Sequence, residues 1–87
     1  PGAHDHKSRL QEVAAQRLAA TPSYDAESEG PDHARTFTVT VRIDDDHVGV
    51  GVGRSKKQAE QRAAQAALAS FDADASLPDE NKGTAGA

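Results

Sequence analysis

Ser55, Lys56 and Lys57 stand where a glycine-rich stretch gives way to a run of Ala, Gln and Arg with helical spacing. A helix starting there turns its first free backbone N–H groups and the positive end of its dipole toward the same place as the two ammonium groups. Those three contributions together suit a phosphate. Lysine is common on ordinary surfaces, yet the dipole disfavours it at a helix start, and that mild conflict points to an anionic ligand. Arg54 and Arg62 flank the pair as peripheral helpers, while Glu60, on the next turn, is a doubtful phosphate neighbour. Two other groups of residues could make polar contacts. Ser8, Gln11 and Glu12 recur at i, i+3 and i+4, so they share a helix face opposite Leu10 and Val13, with hydroxyl, amide and carboxylate groups that donate or accept. In Gly30-Pro31-Asp32-His33, Pro31 stiffens a loop from which Asp32 and His33 can reach outward. Taken singly, each set also reads plainly as a solvated helix face or loop.

The elements that must hold these groups follow from periodicity. Leu10, Val13, Ala14 and Leu18 form an apolar stripe that predicts a helix from Asp5 to about Ala20. Asp5 or His6 can cap its start, and Thr21-Pro22 ends it, because the residue before a proline is pushed out of the helical region. Arg17 falls on the apolar side, where its stem can pack and its charge meets the helix dipole. Tyr24, Ala26 and Ser28 alternate with Asp25, Glu27 and Glu29, as in a half-buried edge strand over 23–29. Thr36 to Ile43 alternates too, with Phe37, Val39, Val41 and Ile43 on one side. After the polar turn Asp44-Asp45-Asp46, His47 to Gly53 carries Val48, Val50 and Val52 on one face and Gly49 and Gly51 on the other. The connections are too short for crossovers, so the three strands are expected as an antiparallel meander. Ser55 with Gln58 matches a capping box opening a helix to about Phe71, with Ala59, Ala63, Ala66, Ala67 and Phe71 as its packing stripe. The expected fold is α+β, in the order α-β-β-β-α, with both helices on one face of a three-stranded antiparallel sheet.

Beyond Phe71 the periodicity stops. The expected organisation is a disordered start or cloning scar at 1–4, one domain over 5–71, and a disordered acidic tail over 72–87. The opening Pro1-Gly2-Ala3, without Met, is read as the mark of an excised or processed piece. Charge follows the same division. The whole chain carries a net −4, but the tail accounts for −3 and residues 5–71 for only −1. From Arg54 to Arg62, four cations meet one anion. Because salt screens charges farther apart than about 10 Å, this local patch governs phosphate contact more than the total does.

Several functions are set aside. There is no cysteine, hence no disulfide or thiolate metal site, which fits a reducing, cytoplasmic setting. No apolar run approaches the roughly 18 residues of a membrane span. Gly49, Gly51 and Gly53 match neither the dinucleotide fingerprint nor a P-loop, and Gly53 is better read as shaping the strand-to-helix turn. The three aspartates read as a hairpin turn, and His4, His6 and His47 form no metal-ligand spacing.

Leu10-Gln11-Glu12, Pro22-Ser23-Tyr24, the stretch from Gly30 to Phe37, the stretch from Gly51 to Glu60, and Ala63-Ala64 together resemble the double-stranded-RNA-binding domain family. The resemblance covers about Asp5 to Phe71. Gly30-Pro31-Asp32-His33, and the opening from Asp5 to Glu12, resemble bacterial ribonuclease III in particular. This implies a module that reads A-form RNA by shape, touching two successive minor grooves and the phosphates between them over roughly 16 bp. Ser8, Gln11 and Glu12 would meet one minor groove, and Pro31, Asp32 and His33 the second. Arg54, Ser55, Lys56 and Lys57 would meet the phosphates. The resemblance also implies a parent endoribonuclease that processes structured RNA such as ribosomal RNA precursors. Its nuclease domain would use Mg2+ and form the homodimer, whereas this chain, which lacks the family's acidic nuclease signature, is expected to be a monomer that binds without cutting and needs no cofactor. The competing expectation is a protein-interaction module of the same fold, with RNA affinity weakened or lost; the acidic balance keeps it open.

Overall fold

The carboxylate of Asp5 starts the chain's first helix by accepting the Ser8 N–H at 3.3 Å and the Ser8 hydroxyl at 2.8 Å. The computed structural model describes the backbone of residues 5–86 and the side chains of residues 5–72, so the expectation for residues 1–4 lies outside it. The elements are α1 (His6–Leu18), β1 (Ser23–Glu29), a single 3-10 turn at Asp32–Ala34, β2 (Thr36–Asp44), β3 (His47–Gly53) and α2 (Lys56–Gly86). The strands lie in the order β1-β2-β3, both pairings antiparallel. This is the expected α-β-β-β-α order, with α2 packed on β2 and β3 and α1 packed on α2.

The register sorts the sheet into two faces. Val39 pairs with Gly51 and Val41 with Gly49, while Thr38 pairs with Val52 and Thr40 with Val50. Val39 and Val41 are fully buried beneath the helices, so Gly49 and Gly51 lie on the helix side and the β3 valines face away from it. Val50 and Val52 are accordingly 54% and 47% exposed. The inversion has a steric cause. A Cβ at Gly51 would collide with the backbone of Ala63 and Ala59, and one at Gly49 with that of Ala63 and Ala67. Glycine on β3 and alanine on α2 let the helix backbone lie directly on the strand. Leu10, Val39, Val41, Ala59, Ala63, Ala64, Ala67 and Phe71 make up the core.

Four boundaries and faces differ from expectation. The stripe on α2 uses Ala64 instead of Ala66, because the helix meets α1 as well as the sheet and so buries a wider arc. On β1 only Tyr24 of the inward row is partly covered, and Ala26 and Ser28 stay exposed. α1 stops at Leu18, two residues early, because Ala19 turns to φ 52 and its N–H closes on Ala14 and Ala15. A non-glycine residue in this left-handed region is strained by roughly 1 kcal/mol. Ala19→Gly is therefore expected to stabilise the fold by about 0.5–1 kcal/mol, read as a higher urea midpoint at unchanged m-value. Finally, α2 continues past Phe71 to Gly86.

The three aspartates form a turn, as expected. Asp44 Oδ1 accepts from the N–H groups of Asp46 and His47 at 3.0 and 2.8 Å, and lies 2.8 Å from His47 Nδ1. Those hydrogen bonds, that from the His47 side chain first, hold the Asp44 carboxyl below its ordinary pKa. His47 is no lone strand residue: it is buried and stacks on Phe71 with ring centroids 4.2 Å apart. Arg17 lies over the same Phe71 ring, its guanidinium carbon 6.0 Å from the centroid.

Candidate nucleic-acid interface

The start of α2 is built by local capping. Ser55 Oγ accepts the Gln58 N–H at 3.1 Å, and Gln58 Oε1 reaches back to accept the Arg54 N–H at 2.8 Å. The second bond lands one residue before the cap, a variant of the ordinary capping box. Both bonds fix the first turn, on which Lys56 and Lys57 are exposed. Arg54 is exposed beside them. Arg62 points elsewhere, donating to the Val52 carbonyl at 2.8 Å, so its guanidinium is tied to β3.

On α1, Ser8, Gln11 and Glu12 are all exposed, as their spacing predicts. The Ser8 hydroxyl gives its proton to Asp5, which leaves its lone pairs as acceptors, while Gln11 and Glu12 carry no hydrogen bond among the described residues. A cleft of about 390 Å³ opens between the starts of α1 and α2, lined by Ser8 and Gln11 from one helix and Lys57 and Gln61 from the other. Tyr24 lines it from β1. The structure thus brings two of the three sequence-predicted groups to one cleft. Glu12 and Ser8 line a neighbouring, wider cleft with Arg9, Gln65 and Asp72.

The third group stands on the loop between β1 and β2. Gly30 adopts φ 98, and Pro31 is extended before the 3-10 turn, which Ala34 N–H closes onto the Pro31 carbonyl at 2.9 Å. Arg35 braces the turn from below, 3.7 Å from Asp32 and 3.4 Å from Ser28 Oγ. Pro31, Asp32 and His33 remain exposed. Because Phe37 pairs with Gly53, this loop and the start of α2 lie at the same end of the sheet.

Three long-range contacts set α1 and its cap against α2. Lys7 Nζ lies 2.7 Å from Glu60 Oε1. Gln61 accepts the His6 N–H at 2.7 Å and donates to Asp5 Oδ1 at 3.0 Å. Hydrogen bonds from Gln61 and then Ser8 lower the Asp5 carboxyl to a pKa of about 2. Its folded pKa lies below the ordinary 3.8, so Asp5 contributes stability above pH 3.8 that is lost as pH falls toward 2. Asp5→Asn is expected to flatten the stability–pH curve between those values, measured by urea unfolding at each pH. Tyr24 is pushed up to about 12, by burial first and by the Glu60 and Asp5 carboxylates after it, so its hydroxyl stays protonated. That hydroxyl is buried without a partner in the described residues.

Lys7, Tyr24, Glu60 and Gln61 were not among the sequence-predicted residues. Lys7 pairs across 53 positions and Gln61 reaches Asp5 across 56, separations at which no spacing rule operates. Only the closeness of Lys7 to Ser8, and of Glu60 to the lysine pair, hinted at them.

This architecture recurs in known proteins. The family model described as double-stranded RNA binding motif matches residues 6–70. The chain is 51% identical over 63 residues to Ribonuclease 3 of Thermobifida fusca, covering 72% of this chain and 26% of the relative. With Ribonuclease 3 of Nocardia farcinica it shares 49% over 70 residues, covering 80% and 29%. The chain therefore spans under a third of the length of these curated relatives. Among solved structures, the first dsRBD of HYL1 is 39% identical with a TM-score of 0.66, covering 78% of this chain and 97% of that one. The second dsRBD of DRB4 is 39% identical with a TM-score of 0.59, covering 77% and 94%. The chain belongs to the double-stranded RNA binding motif family.

Proposed function

We propose that this chain binds double-stranded RNA by its A-form shape, independently of sequence, as the substrate-binding part of a ribonuclease III. The carrying observation is the cleft that sets the polar groups of Ser8 and Gln11 beside the Lys57 ammonium. A-form RNA exposes 2′-hydroxyls across a shallow minor groove flanked by phosphates, and this pairing of groups matches it. Ser8, Gln11 and Glu12 take one minor groove, and Pro31, Asp32 and His33 the next. Ser55, Lys56 and Lys57, with Arg54 at the margin, take the intervening phosphates. By its chemistry the chain binds and does not cut. Cleavage, the Mg2+ it needs and the homodimer belong to a nuclease domain of the parent protein, a cytoplasmic enzyme acting on structured RNA such as ribosomal RNA precursors. The chain alone is a monomer.

A length series tests this reading. Affinity for RNA duplexes is expected to rise steeply up to roughly 16 bp and then level, because a shorter duplex cannot offer both minor grooves. Equal binding to duplex and single-stranded RNA at every length would contradict it.

A further inference from the structure

We infer that Lys7 is a further phosphate-contacting residue, held by Glu60 so that α1 and α2 each present a lysine to the cleft between their starts. The inference rests on the RNA-binding reading and adds a contact that none of the three predicted surfaces contains. Lys7 and Lys57 line the same cleft of about 390 Å³, together with Ser8 and Gln11. Each helix thus gives the cleft a cationic residue, and an anion entering it gains from both. Glu60 sits against Lys7, 2.7 Å from Nζ, with its side chain only 16% exposed. Asp5 also borders the cleft as an ionised carboxylate, accepting from Gln61 and from the Ser8 hydroxyl.

The same contacts place Lys7 ready for a ligand. Its Nζ stands 5.1 Å from the centre of the Tyr24 ring, within cation–π range, while Glu60 holds it from the other helix. A lysine side chain normally loses about 1.5–2 kcal/mol of rotamer freedom when fixed, and here the fold has met that cost before any ligand arrives. An ammonium has three donors, of which Glu60 takes one, and 37% of the Lys7 side chain remains exposed. A backbone phosphate can therefore accept from Lys7 without breaking the pair. Glu60, which beside two lysines looks like an obstacle to an anion, is a positioning residue: it brings a third cation from another helix to the cleft.

The test replaces the pair without changing net charge. Lys7→Met/Glu60→Met keeps the stems packed and removes one cation and one anion. Binding of the full chain to a 20-bp RNA duplex, measured over a range of salt, is expected to weaken about tenfold at low salt. The slope of log affinity against log salt should shrink by about 0.7–0.9, the signature of one lost phosphate contact. Exchanging the charges, Lys7→Glu/Glu60→Lys, should restore most of both, because the cation returns to the same place. A slope identical to that of the unchanged protein, with only folding stability reduced, would overturn the inference and leave the pair as a structural clasp. Lys7→Gln, which still offers Glu60 a hydrogen bond, repeats the reading if the methionine pair folds poorly. If the unchanged protein itself binds no duplex RNA, the functional reading falls, and this inference with it.

Discussion

Lys56→Ala/Lys57→Ala is expected to lower affinity for a 20-bp RNA duplex about 100-fold at low salt, with no loss of folding stability. Both side chains are exposed and neither belongs to the core, so their removal leaves the core intact. What they supply is charge at a helix start whose first N–H groups and dipole already face the same point. A 100-fold loss is about 2.7 kcal/mol, close to two charge-assisted contacts at the low end of their usual range of roughly 1.5–3 kcal/mol each, as suits exposed side chains. The slope of log affinity against log salt should fall by about two contacts' worth, roughly 1.4–1.8. Single-stranded and duplex competitors separate this from a general loss of positive charge. A protein-docking role would leave partner affinity indifferent to the same substitutions.

Gly51→Ala should have the largest effect on folding. The added methyl meets the backbone of Ala63 and Ala59, and neither can swing aside as the tip of a side chain could. The helix must lift off β3, opening gaps around Val39 and Ala63, both fully buried. Overpacking typically costs 1–3 kcal/mol, and a clash of backbone against strand belongs at or above about 3 kcal/mol. A small domain has only about 5 kcal/mol in hand at the low end of the usual range, so the variant is expected to keep about 2 kcal/mol or less and to unfold well below the midpoint of the unchanged protein. Loss of far-UV signal on mild heating is the readout. Val50→Thr, two-strand neighbours unchanged and the side chain pointing away from α2, is the control. It should stay within about 0.5 kcal/mol of the unchanged protein.

These two experiments also mark where the sequence was informative. Alternation in Thr36–Ile43 and the spacing of Leu10, Ala14, Ala59, Ala63 and Ala67 carry the fold directly, because strand and helix periods are local properties. Which face of β3 meets the helix is not a local property. Hydrophobicity favours burying Val50 and Val52, yet the close approach of an alanine-lined helix selects the glycine face. The site divides in the same way. Ser8, Gln11 and Glu12 share a face by spacing, and Ser55 with Lys56 and Lys57 shares a capped helix start, so both groups could be found from the chain alone. The clasp of Lys7 on Glu60 and of Asp5 on Gln61 could not, because it exists only once α1 is laid on α2.

Recognition of duplex RNA through three surfaces is tested most directly by titrating the isotope-labelled chain with a 20-bp RNA duplex, beside DNA of the same sequence, followed by amide and side-chain NMR shifts. Saturable shifts are expected with RNA at Gln11, His33 and Lys57 together, one from each surface, with weak and unsaturated shifts with DNA and quiet signals at Val50 and Val52 on the open face of the sheet. Absence of shifts at those three residues, or shifts confined to Val50 and Val52, would contradict it and make the sheet face the working surface of the molecule.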